Sequence, residues 1–262
     1  MRAPHILGQR VVAVALYAAI MAALMWSAYA GAQGMGYNWQ WYRVPKYLGS
    51  LTEDGFQAGE ILTGLGVTIQ LSLTAFALGT VLGAGVTALR LSGLVMGRAI
   101  SVVYLELIRN IPLLVLLYLF YYVLGPIFDL GRWSAAILTL AVFHSALISE
   151  IFRAGIASVP RGQWEAAAAI GMSRAQAFAY ITLPQSVRFM LPPLTGEAVH
   201  LIKSSAIVSV IAVAELTTVG RNIISDTYMS FEIWFTVAAV YLAVTLVLSF
   251  GISALERRIT PT

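Results

Sequence analysis

Residues 61–89 read ILTGLGVTIQLSLTAFALGTVLGAGVTAL and contain no charged side chain. A helix needs about 20 mostly apolar residues to cross about 30 Å of hydrocarbon, so this run is long enough to span a membrane. The whole chain has the same character, with 59% hydrophobic and 11% charged residues among 262. Soluble domains have about 25% charged residues. We therefore predict an all-α integral membrane protein.

Five further stretches have the length and composition of membrane spans, or nearly so, which predicts about six transmembrane helices. They are residues 11–30, 111–128, 133–149, 198–214 and 233–255. The stretch 111–128 is expected to continue a helix that starts near Ser101. We expect residues 1–58 to hold the first span and an external interfacial segment, and residues 59–258 to form the main membrane domain.

The interfacial segment is predicted from aromatic side chains between the first two spans, at Trp39, Trp41, Tyr42 and Tyr47. Tryptophan and tyrosine are enriched where a membrane protein meets the lipid headgroups. The segment is either an anchor at the membrane surface or a docking surface for an external partner. Within the second span, Gly79 and Gly83 form a small-residue face that predicts close helix packing.

Arginine and lysine residues set the expected orientation, because cytoplasmic segments carry an excess of them. With the N-terminus inside, the inner segments hold Arg2, Arg10, Arg90, Arg98, Arg153, Arg161, Arg174, Arg188, Arg257 and Arg258, and the outer segments hold Arg43, Lys46, Arg132 and Arg221. We therefore expect both termini to be cytoplasmic. Arg2, Arg10, the apolar run from Val11 and the sequence AYA at 28–30 also resemble a cleavable signal peptide, which stays an alternative.

Several classes of function are disfavoured by composition. The chain has no cysteine, so it has no disulfide and no thiolate ligand or nucleophile. Its basic residues are dispersed, which does not favour nucleic-acid binding. No set of His, Asp and Glu has the sequence spacing of a metal site, so we expect no metal.

A polar loop at about 151–190 interrupts the apolar pattern and is predicted to face the cytoplasm. A first short helix at 162–170 is expected to end at Gly171, since glycine favours the left-handed conformation that terminates helices. A second helix at 174–181 is expected to open with a capping box between Ser173 and Gln176. Leu183 and Pro184 are expected to stop it.

The first of these helices is too short to be stable alone in water, so it must pack against something. Its candidate contact residues combine small, aromatic and charged side chains: Arg161, Gly162, Trp164, Glu165, Ala166, Ala167 and the terminal Gly171. Such a surface suits a helix held in the groove of another protein. The alternative is a helix folded back on its own bundle or lying at the membrane surface.

Ionisable residues within spans are costly and commonly mark a pathway or a pair. Glu106 and Arg109 lie three residues apart and can neutralise each other, as an internal tie or as substrate ligands. Glu197, His200 and Lys203 recur at intervals of three and form a polar stripe, the stronger candidate for a translocation pathway. Lys203 or Arg109 could meet a substrate carboxylate.

Two other polar groups have a simpler interpretation. Glu150 and Arg153 are expected to anchor the loop, and His144 is expected to be a hydrogen-bonded histidine of the core.

The segment EAAAAIG at 165–171, followed by ITLP at 181–184, resembles the EAA loop of ABC-importer permeases. Four further stretches resemble the polar amino acid branch of that family (the histidine, glutamine and glutamate/aspartate importers): YLELIRNIPLLVLLY from 104, SEIFRAGIASVPRGQWEAA from 149, LPQSVRFMLPPL from 183 and LIKSSAIVSVIAVAELT from 201. The resemblance covers about residues 59–258. The N-terminal span is the departure, since many members have a core of five helices only.

The resemblance implies a permease subunit without a cofactor of its own. Its loop would insert a coupling helix into a cytoplasmic ATPase, one of two such subunits in the assembly, which bind ATP and Mg. The other implied partners are a second permease, identical or similar, a periplasmic or extracellular amino acid binding protein, and the lipid of the bacterial inner membrane. Consistent with this, the sequence contains no GxxxxGK[ST] phosphate loop. The stretch LIKSSAIVS resembles permeases for acidic amino acids.

Two other classes remain as alternatives. A stand-alone secondary transporter favours inverted repeats with broken helices, which the unequal spans do not show. A membrane enzyme needs a nucleophile with its base, for which Ser204 and Ser205 beside Lys203 are the faint candidates. Transport driven by an ion gradient without an ATPase would identify the secondary transporter.

Overall fold

The computed structural model describes residues 3–53 and 55–259, so Arg2 of the charge count lies outside the described residues. The chain divides into two compact units, residues 1–41 and 42–262. The first unit contains helix α1, Ala3–Gly34, which includes the predicted span 11–30. Residues 12–34 of α1 are long and apolar enough to cross a membrane.

The second unit is helical apart from one short antiparallel hairpin. In chain order it has α2 (Pro45–Leu48), β1 (Gly49–Thr52), β2 (Gly55–Ala58), α3 (Glu60–Leu91), α4 (Val95–Asn110), α5 (Leu113–Tyr118), a π-helix (Leu119–Leu124), α6 (Gly125–Phe128), α7 (Arg132–Ala157), α8 (Arg161–Ala169), α9 (Arg174–Gln176), a π-helix (Ala177–Thr182), α10 (Leu183–Ser204), a 3-10 helix (Ser205–Ile211), α11 (Leu216–Thr227) and α12 (Ser230–Ile259).

Helices α3 and α7 pack closely along a seam of small residues. A Cβ added to Gly79 would lie 3.0 Å from the carbonyl oxygen of Ala141, and one added to Gly83 would lie 2.9 Å from that of Ser145. Only a residue without a side chain fits at these distances. The small-residue face predicted from Gly79 and Gly83 is therefore confirmed.

The same seam fixes the relative direction of the helices. One turn beyond Gly83, the hydroxyl of Thr87 lies 3.1 Å from the backbone oxygen of Ser149, so α3 and α7 run parallel. A Cβ on Gly155 would meet Met190 of α10, whereas His144, farther back along α7, contacts Glu197. Helices α7 and α10 are therefore antiparallel.

The third predicted span is broken. Helix α4 ends at Asn110 and α5 starts at Leu113, with a bend of 105° between the α4 segment and the segment 113–128. Ile111 has the extended conformation, φ −93 and ψ 126, which is the conformation that the residue before a proline favours. The prediction of one helix from Ser101 to residue 128 was wrong. Because α3 and α7 run parallel as spans, the bent segment between them must carry the chain back across the membrane once.

The fifth span is longer than predicted and begins earlier. Helix α9, the π-helix and α10 follow one another without interruption, and the candidate span runs from Arg174 to Ile211 instead of 198–214. Pro184 does not stop the helix as predicted, since Leu183 keeps helical dihedrals of −60 and −46. The missing N–H of the proline falls where the helix changes from π to α, at the first turn of α10.

The remaining spans agree with the sequence. The predicted stretches 61–89 and 233–255 lie within α3 and α12, and 133–149 lies within the longer α7. Among the described residues, five helices are long and apolar enough to cross a membrane, or six if the bent pair counts as one span.

Tyr47 and Glu215 are both buried within the second unit. Tyr47, expected at the membrane surface, is 7% exposed and packs with Ile61, Leu216 and neighbouring apolar residues. Glu215 is fully buried at the start of α11, where its carboxylate accepts hydrogen bonds from the backbone N–H of Thr218 at 2.7 Å and from the hydroxyl of Tyr241 at 3.0 Å. It thus caps α11 and ties it to α12.

Candidate functional site

Helix α8 ends as its sequence predicts. Gly171 has φ +84, the left-handed conformation that glycine favours. Its N–H donates to the carbonyl of Ala168 at 3.0 Å, and the N–H of Met172 donates to the carbonyl of Ala167 at 3.0 Å. These two bonds form a Schellman motif, which satisfies carbonyls that the helix end would otherwise leave free.

The next helix begins two residues later with the predicted capping box. The side chain of Ser173 accepts a hydrogen bond from the backbone N–H of Gln176 at 3.3 Å, and the side chain of Gln176 accepts one from the N–H of Ser173 at 2.9 Å. The corner between α8 and α9 is therefore closed by its own hydrogen bonds.

Helix α8 has one covered face and one open face. Ala167 is 3% exposed, and Trp164 is half-buried on the side that packs against the π-helix at 177–182. The open face carries the other candidate contact residues: Arg161, Gly162, Glu165 and Ala166, with Ala168, Ala169 and the 76% exposed Ile170 beside them. The helix thus leans on its own chain, which is one of the two alternatives, and still presents an accessible surface; its insertion into a groove of another protein stays a prediction.

The loop is anchored to α3 by an acidic side chain. Glu150 forms ion pairs with Arg90 of α3 and with Arg153 one turn along α7, the latter at 2.8 Å. The predicted anchor is confirmed, and Arg90 is the partner that the sequence did not reveal.

The polar stripe of α10 meets a histidine of α7. Nδ1 of His144 lies 2.5 Å from a carboxylate oxygen of Glu197, and the ring of His200 stands edge-on to that of His144 with centroids 5.6 Å apart. His144 is fully buried, Glu197 is partly buried and His200 is exposed. The core histidine predicted from the sequence is thus hydrogen-bonded, and its partner belongs to the predicted pathway.

These three residues also have the dimensions of a metal site. One donor atom from each of His144, Glu197 and His200 lies within 4.8 Å of the others. Nε2 of His144 is buried without a hydrogen-bond partner within the described part of the chain. Sequence spacing did not reveal the group, because α7 and α10 contribute residues 53 positions apart. That the chain needs no metal stays a prediction.

The other predicted pathway residues are not brought into this group. Glu106 and Arg109 are both exposed on α4, and no ion pair joins them among the residues that the structure describes. Glu106 instead accepts hydrogen bonds from the side-chain amide of Asn110, at 2.7 Å on its backbone oxygen and 3.2 Å on its carboxylate. Lys203 is exposed one turn beyond His200.

Comparison with known proteins places these features in a family. Residues 79–261 match the family described as "Binding-protein-dependent transport system inner membrane component". The glutamine transport system permease protein GlnP of Escherichia coli K12 is 36% identical over 201 residues, which cover 76% of this chain and 92% of GlnP. The octopine transport system permease protein OccM of Rhizobium radiobacter is 34% identical over 211 residues, covering 77% and 86%.

Solved structures show the same fold. A chain from the crystal structure of an amino acid ABC transporter with histidines superposes with a TM-score of 0.72 at 37% identity, covering 76% of this chain and 94% of that one. A chain of the inward-facing MetNI methionine ABC transporter, at 20% identity, has a TM-score of 0.67 and supports the fold alone.

The chain therefore belongs to the family of inner membrane components of binding-protein-dependent transport systems. It is a membrane-spanning permease subunit of an ABC importer, which works with a separate ATPase and a binding protein and is not itself an enzyme. The family, fold class and type of function predicted from the EAA loop and its companion stretches are confirmed, and the secondary-transporter alternative is set aside.

Proposed function

We propose that this permease imports a polar L-amino acid, with α8 as its coupling helix and the polar stripe of α10 on its pathway. The observation that carries the proposal is the open face of α8 on a chain whose relatives are named for glutamine, octopine and nopaline transport. The solved structure with 37% identity is that of an amino acid transporter.

The coupling role rests on the geometry of α8. Its exposed face is short and includes Ala166, Ala168 and Ala169, where a groove on another protein can approach the backbone. Its covered face packs on the π-helix that leads directly into α10. A displacement of α8 would therefore be transmitted through the π-helix to α10, which carries Glu197, His200 and Lys203.

The pathway role rests on charge. An amino acid presents an ammonium and a carboxylate, and a bilayer-spanning path must replace the water around both. Lys203 offers a cation for the carboxylate, and Glu197 with the adjacent imidazoles offers an anionic partner for the ammonium. Arg109 and Glu106, exposed on α4, are the second set of candidates. The resemblance of LIKSSAIVS at 201–209 to permeases for acidic amino acids supports glutamate or aspartate as one substrate.

The assembly follows from the family. Two ATPase subunits would each receive one coupling helix, from two copies of this chain or from this chain and a similar permease. ATP and Mg would bind to the ATPases and no cofactor to this chain. The excess of arginine at the end of α7 and around α8 supports cytoplasmic termini in a bacterial inner membrane.

Reconstitution tests the coupling role directly. The permease, its ATPase and its binding protein are placed in proteoliposomes, and ATP hydrolysis is measured beside the uptake of labelled glutamine, glutamate and aspartate. We expect Glu165→Ala to lose most ATP-driven uptake while the subunit still inserts and the ATPase still hydrolyses ATP. Asp226→Ala, which removes an exposed carboxylate of α11, is the matched control. Normal uptake by Glu165→Ala, or equal loss in the control, would reject α8 as the coupling helix.

A further inference from the structure

Four arginines line one open cavity where α3, α4, α7 and α8 meet. The cavity has a volume of about 570 Å³, and the side chains come from different elements: Arg90, Arg98, Arg153 and Arg161. Trp164 and Ile156 complete the apolar part of its wall. Four separate helices thus each contribute one arginine to the wall of the same cavity.

The positive charge of this cavity is only partly neutralised. Glu150 is paired with Arg90 and Arg153, as described above. Arg98 and Arg161 are exposed, and neither forms an ion pair with another described residue. Guanidinium groups bind phosphate oxygens through paired hydrogen bonds, so the cavity is suited to a phosphate group.

Two largely apolar clefts adjoin the arginine cavity. The larger, about 920 Å³, lies between α3, α7 and α10, shares Leu91, Ile156 and Trp164 with the cavity, and includes Phe152 and Phe178. Its charged lining residue is Arg174.

The smaller cleft, about 690 Å³, lies between the end of α3 and α4 and shares Arg90, Leu91 and Arg98 with the cavity. Its wall includes Val102 and Val95, which is 87% exposed. The arginine-lined cavity thus shares wall residues with two clefts, one that extends to α10 and one that extends along α4.

We propose that this site binds one anionic phospholipid, with its phosphate among the arginines and one acyl chain in each cleft. Charge complementarity selects an anionic headgroup, and two flanking clefts match a molecule with two chains. Basic pockets between membrane helices on the cytoplasmic side bind anionic lipid headgroups by the same principle. The proposal rests on the cytoplasmic orientation given under the proposed function. A free phosphate would leave both clefts unfilled.

The site would connect the lipid to the coupling segment. Arg161 begins α8, and Trp164 lies on its covered face against both the arginine cavity and the larger cleft. A lipid held there bridges α8 to the ends of α3 and α4. An anionic lipid is therefore part of the surface on which the coupling helix rests.

Lipid binding to the purified full-length chain in detergent tests the proposal. Dioleoyl phosphatidylglycerol and dioleoyl phosphatidylcholine are titrated separately, and the bound lipid is counted by native mass spectrometry. We expect one phosphatidylglycerol to bind with clear preference, and Arg98→Gln to weaken it about five-fold, the effect of removing one basic contact. Arg98→Lys should retain most of the affinity. Arg188→Gln, an exposed arginine that lines none of these cavities, should change little.

The remaining measurements distinguish a bound phospholipid from other occupants of the site. Glycerol 3-phosphate, which has the headgroup phosphate without chains, should not displace the lipid, and displacement at equal concentration would show a simple phosphate site. Equal losses in Arg98→Gln and Arg188→Gln would show general surface attraction. Release of the lipid on adding the ATPase would show a protein-docking surface. Each of these results overturns the proposal, and none depends on uptake, so the proposed function is judged separately.

Discussion

Helix α7 packs most extensively against α3 and α10, and these two seams are built differently. Against α3 it packs backbone to backbone, at glycines that leave no room for a side chain. Against α10 it carries the pair of His144 and Glu197, with His200 beside them. Close packing of small residues holds one arrangement, whereas a polar pair can exchange partners. We therefore expect the α3–α7 seam to tolerate substitution less than the polar pair between α7 and α10.

A large side chain in the seam of small residues between α3 and α7 should cause the largest loss of stability. Gly83→Leu places a side chain against the carbonyl of Ser145 and the side chain of Ile148, which are 2.9 and 3.0 Å from a Cβ. We expect a loss of about 3 kcal/mol in the free energy of unfolding and a low yield of folded subunit. Thermal unfolding in detergent measures it. Gly85→Leu is the control, because nothing lies within 4 Å of a Cβ added at Gly85. Similar losses of stability in both variants would show that the seam is not tightly packed.

Removing the polar pair between α7 and α10 should lower the stability by less, but still measurably. Glu197→Ala leaves the buried Nδ1 of His144 without its partner, which costs about 2 kcal/mol. Glu197→Gln keeps a hydrogen-bonding group of the same size and should recover most of the stability. The same unfolding assay compares them. If Glu197→Ala is as stable as the unaltered chain, the two helices are held by something other than this pair.

The third largest effect is expected from a substitution at the corner between α8 and α9. Gly171→Ala forces a side chain into the left-handed conformation at φ +84, at a cost of about 1 kcal/mol. We expect a small loss of stability and a larger loss of coupling, measured as amino acid taken up per ATP hydrolysed. Gly85→Ala adds a methyl group in open space on α3, outside α8 and its corner, and should leave the ratio unchanged. An unchanged ratio in Gly171→Ala would place the corner outside the coupling path.

The smallest structural effect is expected at Lys203. Its side chain is exposed, so Lys203→Ala should leave thermal unfolding unchanged while it lowers uptake. Arg132→Ala is the comparison, since Arg132 donates a hydrogen bond to the carbonyl of Ala212 at 3.1 Å and is not in the stripe. Uptake that falls more in Arg132→Ala than in Lys203→Ala would remove the stripe from the pathway.

The sequence predicted the parts of this protein that depend on local signals. The end of α8 at Gly171 and the capping box at Ser173 are each set by a few neighbouring residues. Gly79 and Gly83 could be predicted as a packing face because a spacing of four places them on one side of a helix. In each case the physical cause lies within one or two helical turns.

The features that were missed depend on distant parts of the chain or on tertiary context. Pro112 and Pro184 are preceded by similar apolar residues, yet one breaks a helix and the other is accommodated where a π-helix changes to an α-helix. The pair of His144 and Glu197 requires knowledge of how α7 and α10 pack. Local rules do not contain that information.

The corner at Gly171, Met172 and Ser173 has a consequence for assembly. Both helix ends that meet there are satisfied by hydrogen bonds within the segment, so the segment proposed to dock on the ATPase has its final conformation before docking. Docking then costs little chain entropy. A permease that has separated from its ATPase should keep the conformation of this segment and be able to bind another ATPase subunit.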